Sequence, residues 1–597
     1  MNKTYLGINV SHGASAALMI NGTIVVAVQE ERFNKIKNFT GYPKKSIDFC
    51  LNYAKKNSLV IDHAAFSSTK NIVFPFKFPI EHFYNIDDWF NYYGDKFYTK
   101  KLSSGSVKPY LKNLSKDKRN SADLYLPYKN VKEKDYFNNY VLFRNIQKKF
   151  LLKQSKGLIK KISFLDHHTC HAYYAYFSPS IKEKNCAVVT LDSEGDGINQ
   201  SLWILDKKKN LLKKINESSE CDLARIYRFI TVILKMKPNL HEYKVMGLAP
   251  YAKKNFSMEV YKNVFKKILK VKSCKVVHNK RPKNLFSYLL RKTNKYRFDN
   301  IAGAVQILVE NISSELFYQI FKKYKIKNFA LSGGVSMNIK MNKKLADLKF
   351  LKKLYVSPCG TDDSLSIGAC YFLSRQEKPK LLKNIYLGQS LTNNKINLKL
   401  LKSKFNSRHF KLRRNVSSKY VAKMLSKGSI IAVARGQEEF GARALGNRSI
   451  LANPSKTNVV QEINEMIKNR DFWMPFALTI LYEKHKKFIK NPKNIMSEFM
   501  TIGFDTFPKN YSKVKSGTHP YDKSVRPQIL KKDYNKNYYS LIYNFEKITK
   551  IPALLNTSLN LHGYPISSDL NDVIKTFKNS GLIHLYLDDN FLISKKF

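Results

Sequence analysis

The chain opens with apolar blocks cut by short polar turns. Positions 5–10 are apolar apart from Gly7 and Asn9, a Ser/His/Gly/Ala turn follows, and Asn21-Gly22 parts two further apolar runs at 16–20 and 23–28. Asn-Gly between two such runs predicts a tight β-hairpin, because both central residues of that turn take positive φ. Further short apolar runs at 187–191, 329–331 and 354–356 predict strands, each followed by small or acidic residues, and in α/β folds the chemistry sits at such strand ends. The stretch 88–160 is rich in Lys, Asn, Tyr and Ser with little periodicity and reads as a variable insertion. Around 376–383 the pattern breaks into polar residues with a proline, which predicts a linker. A helix at 417–426 and a strand at 430–434 then begin a second unit. The expected division is 1–384 and 385–597.

Composition narrows the class. At 597 residues the chain is too long for one hydrophobic core, and 43% hydrophobic with 13% aromatic residues can fill more than one. No run approaches the roughly 20 apolar residues of a membrane span, so no membrane association is expected. The 105 Lys+Arg against 45 Asp+Glu give a net charge of +60. The excess is mostly lysine, spread along the whole chain and accompanied by abundant Asn, Ile, Tyr and Phe. It reads as compositional drift with solvated lysine faces, whereas nucleic-acid footprints cluster Arg and Lys on one stripe. Nucleic acid is therefore not the expected partner. Seven scattered cysteines with no C-x-x-C spacing argue against disulfides and zinc knuckles and for a reducing, cytoplasmic setting.

Several constellations carry chemistry. In Asp166-His-His-Thr-Cys-His171 the imidazoles of His167 and His171 stand four apart ahead of a helix-compatible run, so they share one helical face. Such a pair chelates a metal or simply satisfies a helix terminus. Asp192 and Asp362, each at the end of a predicted strand, can complete a mixed nitrogen and oxygen ligand set, which suits iron or a similar divalent ion better than a thiolate zinc site does. Gly333, Gly334 and Asn338 follow the strand at 329–331 in a loop able to approach a phosphate. The segment Arg435-Gly-Gln-Glu-Glu-Phe-Gly-Ala-Arg443-Ala-Leu-Gly-Asn-Arg448-Ser packs three arginines into a lysine-dominated chain, and bidentate recognition of phosphate or carboxylate is a reason to use them. Lys468 and Arg470, Arg526, and the strand-end residues Asn556, Ser558 and Asn560 extend the candidate anion site.

Taken together, Ser11-His12, Glu30-Glu-Arg32, the His167/His171 pair, Leu191-Asp-Ser-Glu-Gly-Asp196, Glu242-Tyr-Lys-Val-Met-Gly-Leu248, the loops at 332–338 and 360–368, and the arginine segment with its downstream partners resemble the ATP-dependent O-carbamoyltransferases of nodulation-factor, aminoglycoside and cephem biosynthesis. The resemblance implies an α/β chain. Its N-terminal domain would be actin-like, of the tRNA threonylcarbamoyltransferase type, and its C-terminal domain YrdC-like. It implies that the C-terminal domain makes carbamoyl adenylate from ATP and carbamoyl phosphate, with Mg2+ accompanying ATP. The N-terminal domain would then pass the carbamoyl group to a hydroxyl of a small molecule or sugar. In that scheme His167, His171, Asp192 and Asp362 hold Fe2+ or another divalent transition metal. His12, Lys244, Arg443 and Arg448 are catalytic. Gly333, Gly334, Asn338, Arg443, Arg448, Lys468, Arg470, Arg526, Asn556, Ser558 and Asn560 bind nucleotide and carbamoyl phosphate. A homodimer is compatible with the sequence. The chain departs from the family at Ala442, where Pro is usual, and at Trp473-Met474, where an Arg is expected before Pro-Phe-Ala. A tRNA-modifying enzyme of the threonylcarbamoyl type and an inactive actin-like scaffold are the alternatives.

Overall fold

A computed structural model describes residues 2–70, 83–96, 127–128, 139–178, 185–206, 211–391 and 396–596. They form two compact units. One comprises Met1–Glu31 and Asn38–Leu382, the other Arg32–Lys37 and Lys383–Phe597. Nothing in the apolar pattern marks Arg32–Lys37 as part of the second unit.

The first unit is built on two five-stranded sheets with one topology. In the first sheet β1 (Thr4–Asn9), β2 (Ser15–Ile20) and β3 (Thr23–Gln29) form an antiparallel meander. The predicted hairpin turn is there, with φ of 48° at Asn21 and 72° at Gly22. β4 (His63–Phe66) and β5 (Ile162–Phe164) extend the other edge of β1 in parallel, giving the order β3-β2-β1-β4-β5. The second sheet repeats this plan with β6 (Cys186–Gly195), β7 (Ile198–Asp206) and β8 (Leu211–Ser218) as the meander. β9 (Asn328–Ser332) and β10 (Lys353–Val356) are its parallel edge, in the order β10-β9-β6-β7-β8. The central strands β1, β6 and β9 are buried almost throughout, which explains their near-continuous apolar runs, since a strand covered on both faces has no polar alternation.

Three helices of this unit matter for the site. α1 (Lys44–Lys56) packs against β2 and β3. α2 (His167–Phe177) packs on β6 and β9, α3 (Leu365–Leu373) packs on β1 and β2, and the two helices pack on each other between the sheets. α2 begins where Asp166 accepts the N–H of Thr169 at 2.8 Å, so the residue before the first histidine is the helix cap. Much of the span 88–160 lies outside the described residues. Its described end is the helix Tyr140–Ser155, tied to α1 by Gln154, which donates to Asp48 and to the carbonyl of Lys44.

The second unit centres on an eight-stranded sheet. In chain order its strands are β11 (Phe410–Arg413), β12 (Ile431–Ala434), β13 (Arg448–Ala452), β14 (Ala477–Leu481), β15 (Pro527–Leu530), β16 (Ala553–Ser558), β17 (His584–Leu587) and β18 (Phe591–Lys595). Across the sheet they run β11-β18-β17-β12-β13-β16-β14-β15. Its core is aliphatic and aromatic, with Ile450, Leu555, Phe577 and Leu585 fully buried. The register sets Ser449 opposite Ser558 and Asn556 opposite Ala477, with Gln528 beside Thr479. The polar positions of three distant motifs thus share one sheet. All seven cysteines are buried and outside any disulfide, and no helix among the described residues is long and apolar enough to cross a membrane.

Candidate functional site

α2, together with β6 and the turn after β10 of the second sheet, delivers four ligand-type side chains to one point. One donor atom each from His167, His171, Asp192 and Asp362 lies within 4.8 Å of every other. Nε2 of His167 is 3.0 Å from Oδ2 of Asp192 and 3.7 Å from Oδ1 of Asp362. Nε2 of His171 is 3.4 Å and 3.7 Å from the same two oxygens. Both imidazoles and Asp192 are buried, and Asp362 is half-buried.

Each of these groups is held from behind by the protein. Ser332 Oγ lies 3.3 Å from Nδ1 of His171, which turns Nε2 toward the cluster, and that buried nitrogen has no hydrogen-bond partner. Oδ1 of Asp192 accepts the N–H groups of Ser193 and Gly334 at 2.7 and 3.1 Å, leaving Oδ2 for the histidines. Oδ2 of Asp362 accepts Ser11 Oγ at 2.9 Å, leaving Oδ1. The backbone N–H of His167 donates to Asp196, whose carboxylate also gathers Ser68, Thr69 and Lys70. Two glycines make room. A Cβ at Gly195 would stand 2.2 Å from the His167 ring, and Gly333, at φ +91°, passes the Leu191 backbone where a Cβ would lie 2.2 Å from its carbonyl oxygen.

The electrostatics follow. Burial pulls the His167 imidazole down, but Asp362, Asp192 and Asp196 outweigh it and hold the group at about 9. Burial also opposes ionisation of Asp192, yet its bond to His167 and the adjacent His171 imidazole keep it well below the usual carboxylate range. Two carboxylates and two imidazoles within this space need a positive charge among them, either a proton or a cation. A buried orphan imidazole nitrogen, two half-engaged carboxylates and outer partners on His171, Asp192 and Asp362 fit a divalent transition metal. His168, between the two ligands in sequence, plays a different part. Burial and the neighbouring imidazoles push it down to about 3, and its ring nitrogens are spent on Thr190 Oγ1 at 2.6 Å and the Ile198 carbonyl at 3.1 Å. Burial pushes His12 below the usual histidine range, with Asp362 opposing and Arg228 adding to the lowering, and Nδ1 sits 3.3 Å from Thr40 Oγ1. Lys244 stands half-buried on the helix Glu242–Leu248.

Sequence reasoning missed Asp363. Its neighbour Asp362 faces the cluster, whereas Asp363 turns inward to accept Gln29 Nε2 at 2.7 Å, Thr361 Oγ1 at 2.6 Å and the Cys359 thiol at 2.8 Å. Burial, reinforced by Glu31 and Asp362, raises it to about 6. Paired aspartates on a helical turn point different ways, and that alternation was the available signal.

Gly334 gives its N–H to Asp192, and Asn338 caps the helix Ile339–Ala346 by accepting Met341 N at 2.9 Å while exchanging two bonds with Gln306. Both ends of the Asn338 amide are thus engaged within the protein. In the second unit the Arg448 guanidinium is fully buried and donates to the carbonyls of Ser568, Arg435, Asn447, Gln389 and Gly436 at 2.6 to 3.2 Å, so it braces the loop.

Lys468, Arg470, Asn556, Ser558 and Asn560 gather around β16. Lys468 Nζ, buried, donates to Asn560 Oδ1 at 2.7 Å, to the Asn560 carbonyl at 3.2 Å and to Ser558 Oγ at 3.3 Å. Burial, then the nearby Arg470 and Lys37, pushes its ammonium well below the lysine range. Arg470 donates to Thr557 Oγ1 at 3.0 Å and lies 4.7 Å over the Phe476 ring. Asn556 donates to the Ala444 carbonyl and to Thr479, each at 3.1 Å. Arg443 and Arg526 are half-buried. Lysine and arginine beside amide and hydroxyl groups can neutralise and orient phosphate oxygens.

Two family models match this chain. The model described as the carbamoyltransferase N-terminus covers residues 4–371, and that described as the carbamoyltransferase C-terminus covers 422–595. An uncharacterized protein of Methanocaldococcus jannaschii is 30% identical over 602 residues, 99% of each chain. Nodulation protein NolNO of Sinorhizobium fredii is 26% identical over 602 residues, covering 98% of this chain and 79% of that protein. Nodulation protein U of the same species is 30% identical over 239 residues, 40% of each.

Proposed function

This chain belongs to the carbamoyltransferase family and is a carbamoyltransferase; from that premise we propose that it carbamoylates a hydroxyl in two half-reactions driven by ATP. The observation that carries the reading is the four-residue cluster of His167, His171, Asp192 and Asp362, drawn from three distant segments of a chain that matches both family models. The duplicated sheet plan with two helices packed between the sheets supports an actin-like N-terminal domain, and the sheet around β16 with its basic residues supports a YrdC-like adenylate-forming one.

In the first half-reaction carbamoyl phosphate loses its phosphate to water, giving carbamate and inorganic phosphate. A carbamate oxygen then attacks the α-phosphorus of ATP, the bond to the β-phosphate oxygen breaks, and carbamoyl adenylate and pyrophosphate form. Arg443, Lys468, Arg470 and Arg526 spread the phosphate charge, with Mg2+ accompanying ATP, and positioning by fixed cations is the main task in such transfers. Arg448, Asn556, Ser558 and Asn560 hold those cations and their loops in place.

In the second half-reaction the acceptor oxygen attacks the carbamoyl carbon, the bond to the adenylate oxygen breaks, and AMP leaves. His12, beside Thr40 and pushed down by burial, takes the hydroxyl proton on a ring nitrogen. His167, His171, Asp192 and Asp362 would hold Fe2+ or a related divalent ion, which would supply Lewis-acid polarisation of the carbamoyl carbonyl. Lys244 is assigned to the same half-reaction, and the acceptor is a small molecule or sugar hydroxyl. Seven buried cysteines, none in a disulfide, fit a reducing cytoplasm.

The test measures pyrophosphate released from ATP with and without carbamoyl phosphate, and the mass gain of one carbamoyl group on a panel of polyhydroxyl acceptors. Release that ignores carbamoyl phosphate would sink the adenylation step. Carbamoylation that survives chelation of all transition metal would sink the role given to the cluster.

A further inference from the structure

The triplet Glu30-Glu31-Arg32 follows β3 without a break, yet its three side chains serve separate parts of the molecule. Glu30 is buried and caps α1, accepting Ser46 N and Ser46 Oγ at 2.8 Å and Lys45 N at 3.1 Å. Glu31 accepts the N–H of Asn38 at 2.5 Å and so pins together the two ends of the segment Arg32–Lys37. That segment belongs to the second compact unit, although chain on both sides of it belongs to the first. Lys35 pairs with Asp572 and also donates to the Arg32 carbonyl at 2.5 Å.

Arg32 is 2% exposed. It donates to the carbonyl of Gly441 at 2.6 Å and to that of Ile566 at 3.3 Å, and its Nε lies 3.9 Å from the buried Glu438 carboxylate. Gly441 stands two residues before Arg443. The rest of the Arg443 loop is clamped from within the C-terminal sequence. Glu439 Oε1 accepts the N–H groups of Leu445, Asn447 and Arg448 at 2.7 to 3.2 Å, and Asn556 holds the Ala444 carbonyl. Arg448 also reaches the carbonyl of Ser568, two residues beyond the Ile566 that Arg32 holds. Two buried guanidinium groups therefore tie one loop to one neighbouring stretch of chain, and one of them comes from the N-terminal sequence.

We propose that Arg32 is a positioning residue for the adenylate-forming half-reaction, fixing through the Gly441 carbonyl the loop that presents Arg443. The inference rests on the reading of Arg443 as a phosphate-facing cation in that half-reaction. Arginine suits the task because one planar fork reaches two carbonyls and a carboxylate at once, whereas an ammonium is a single point charge on a flexible stem. The N-terminal motif is thus part of the C-terminal chemistry, which explains why an arginine stands there in a chain that uses lysine almost everywhere else.

The experiment uses the full chain as wild type, Arg32→Ala, Arg32→Lys and Lys35→Ala. It reads carbamoyl-phosphate-dependent pyrophosphate release, melting temperature, and hydrogen exchange of the amides from 441 to 447. A loop displaced by about an ångström costs about 10²-fold in rate. Arg32→Ala is expected to lose about that much in kcat/KM for carbamoyl phosphate, with faster exchange at Leu445 and Asn447, and added guanidinium ion should restore part of the rate. Arg32→Lys should keep its melting temperature and still lose rate, while Lys35→Ala, on a half-exposed pair, should match wild type. A folded Arg32→Lys with wild-type kinetics and exchange overturns the proposal, as does a folded Arg32→Ala whose loss guanidinium leaves untouched. If Arg32→Ala does not fold, the lysine variant decides. If the wild type itself releases no pyrophosphate on adding carbamoyl phosphate, the adenylation reading fails, and the exchange data alone still accept or reject the placement of the loop by Arg32.

Discussion

The histidine–aspartate cluster in the first unit and the arginine loop in the other are alike as sequence, since each concentrates rare, chemistry-bearing side chains in short motifs. In the fold they are opposites. Around His167 and His171 the protein engages the back of every group and leaves its front turned to a common point. Around Arg448 the protein consumes the group entirely, with five carbonyl acceptors for one guanidinium. A dense motif marks either a site or the scaffold that shapes one, and the way to tell them apart is to ask which donors the protein leaves unspent.

The largest effect expected from this contrast is at the cluster. His171→Ala removes an imidazole whose Nε2 has no protein hydrogen-bond partner. It should abolish stoichiometric metal by elemental analysis and lower carbamoyl transfer more than the roughly 10–100-fold typical of outer-shell changes. Carbamoyl-phosphate-dependent pyrophosphate release should persist. Equal loss of both half-reactions would contradict a separate transfer site.

Next comes the pair Arg448→Ala and Arg443→Ala, which breaks the comparison inside the arginine loop. Removing Arg448 takes a fully buried cation away from the neighbourhood of Glu438 and Glu439 and deprives five carbonyls of their side-chain donor. The cost is about 3–5 kcal/mol, read as a large fall in melting temperature. Half-buried Arg443 should behave in the reverse way, with stability within about 0.5 kcal/mol of wild type and adenylation lost. Equal melting curves for the two variants would show that Arg448 does not brace the loop.

These expectations also show what the sequence could and could not carry. The Asn21-Gly22 hairpin was legible because only a few residues tolerate its φ values, and the His167/His171 pair because helical spacing alone fixes a shared face. Asp192 and Asp362 were legible as acids ending predicted strands. The burial of Arg448 was not, since a guanidinium that binds phosphate and one that binds carbonyls have the same spacing. Nor was the duplicated sheet plan, which the chain encodes through pairings of strands far apart in sequence, such as β6 with β9. The placement of Arg32–Lys37 in the second unit arises from tertiary contacts that no local pattern announces.

A smaller effect sharpens the picture of the first region. Ser332→Ala leaves all four ligands in place but removes the hydroxyl 3.3 Å from Nδ1 of His171. Metal affinity measured by competition with a chelator should fall about 10-fold, the lower end for an outer partner, with melting temperature nearly unchanged. Unaltered affinity would mean that the ring is oriented by packing alone.

The smallest effect is expected one residue from the most sensitive one. Cys170 is wholly buried in the turn of α2 that joins the two histidine ligands, and burial raises its thiol well above the usual range. Its surroundings are apolar, a cluster with Ala65, Leu365 and Ala369 that belongs to the packing of α2 on α3. Successive helical residues point about 100° apart, so a side chain adjacent in sequence to His171 faces the helix partner while the imidazole faces the cluster. Cys170→Ala therefore trims a small hydrophobic contact and should cost about 1 kcal/mol of stability, with metal content and carbamoyl transfer close to those of wild type. Metal loss in this variant matching that of His171→Ala would mean that the thiol enters the coordination sphere, and the nitrogen and oxygen ligand set would have to be abandoned.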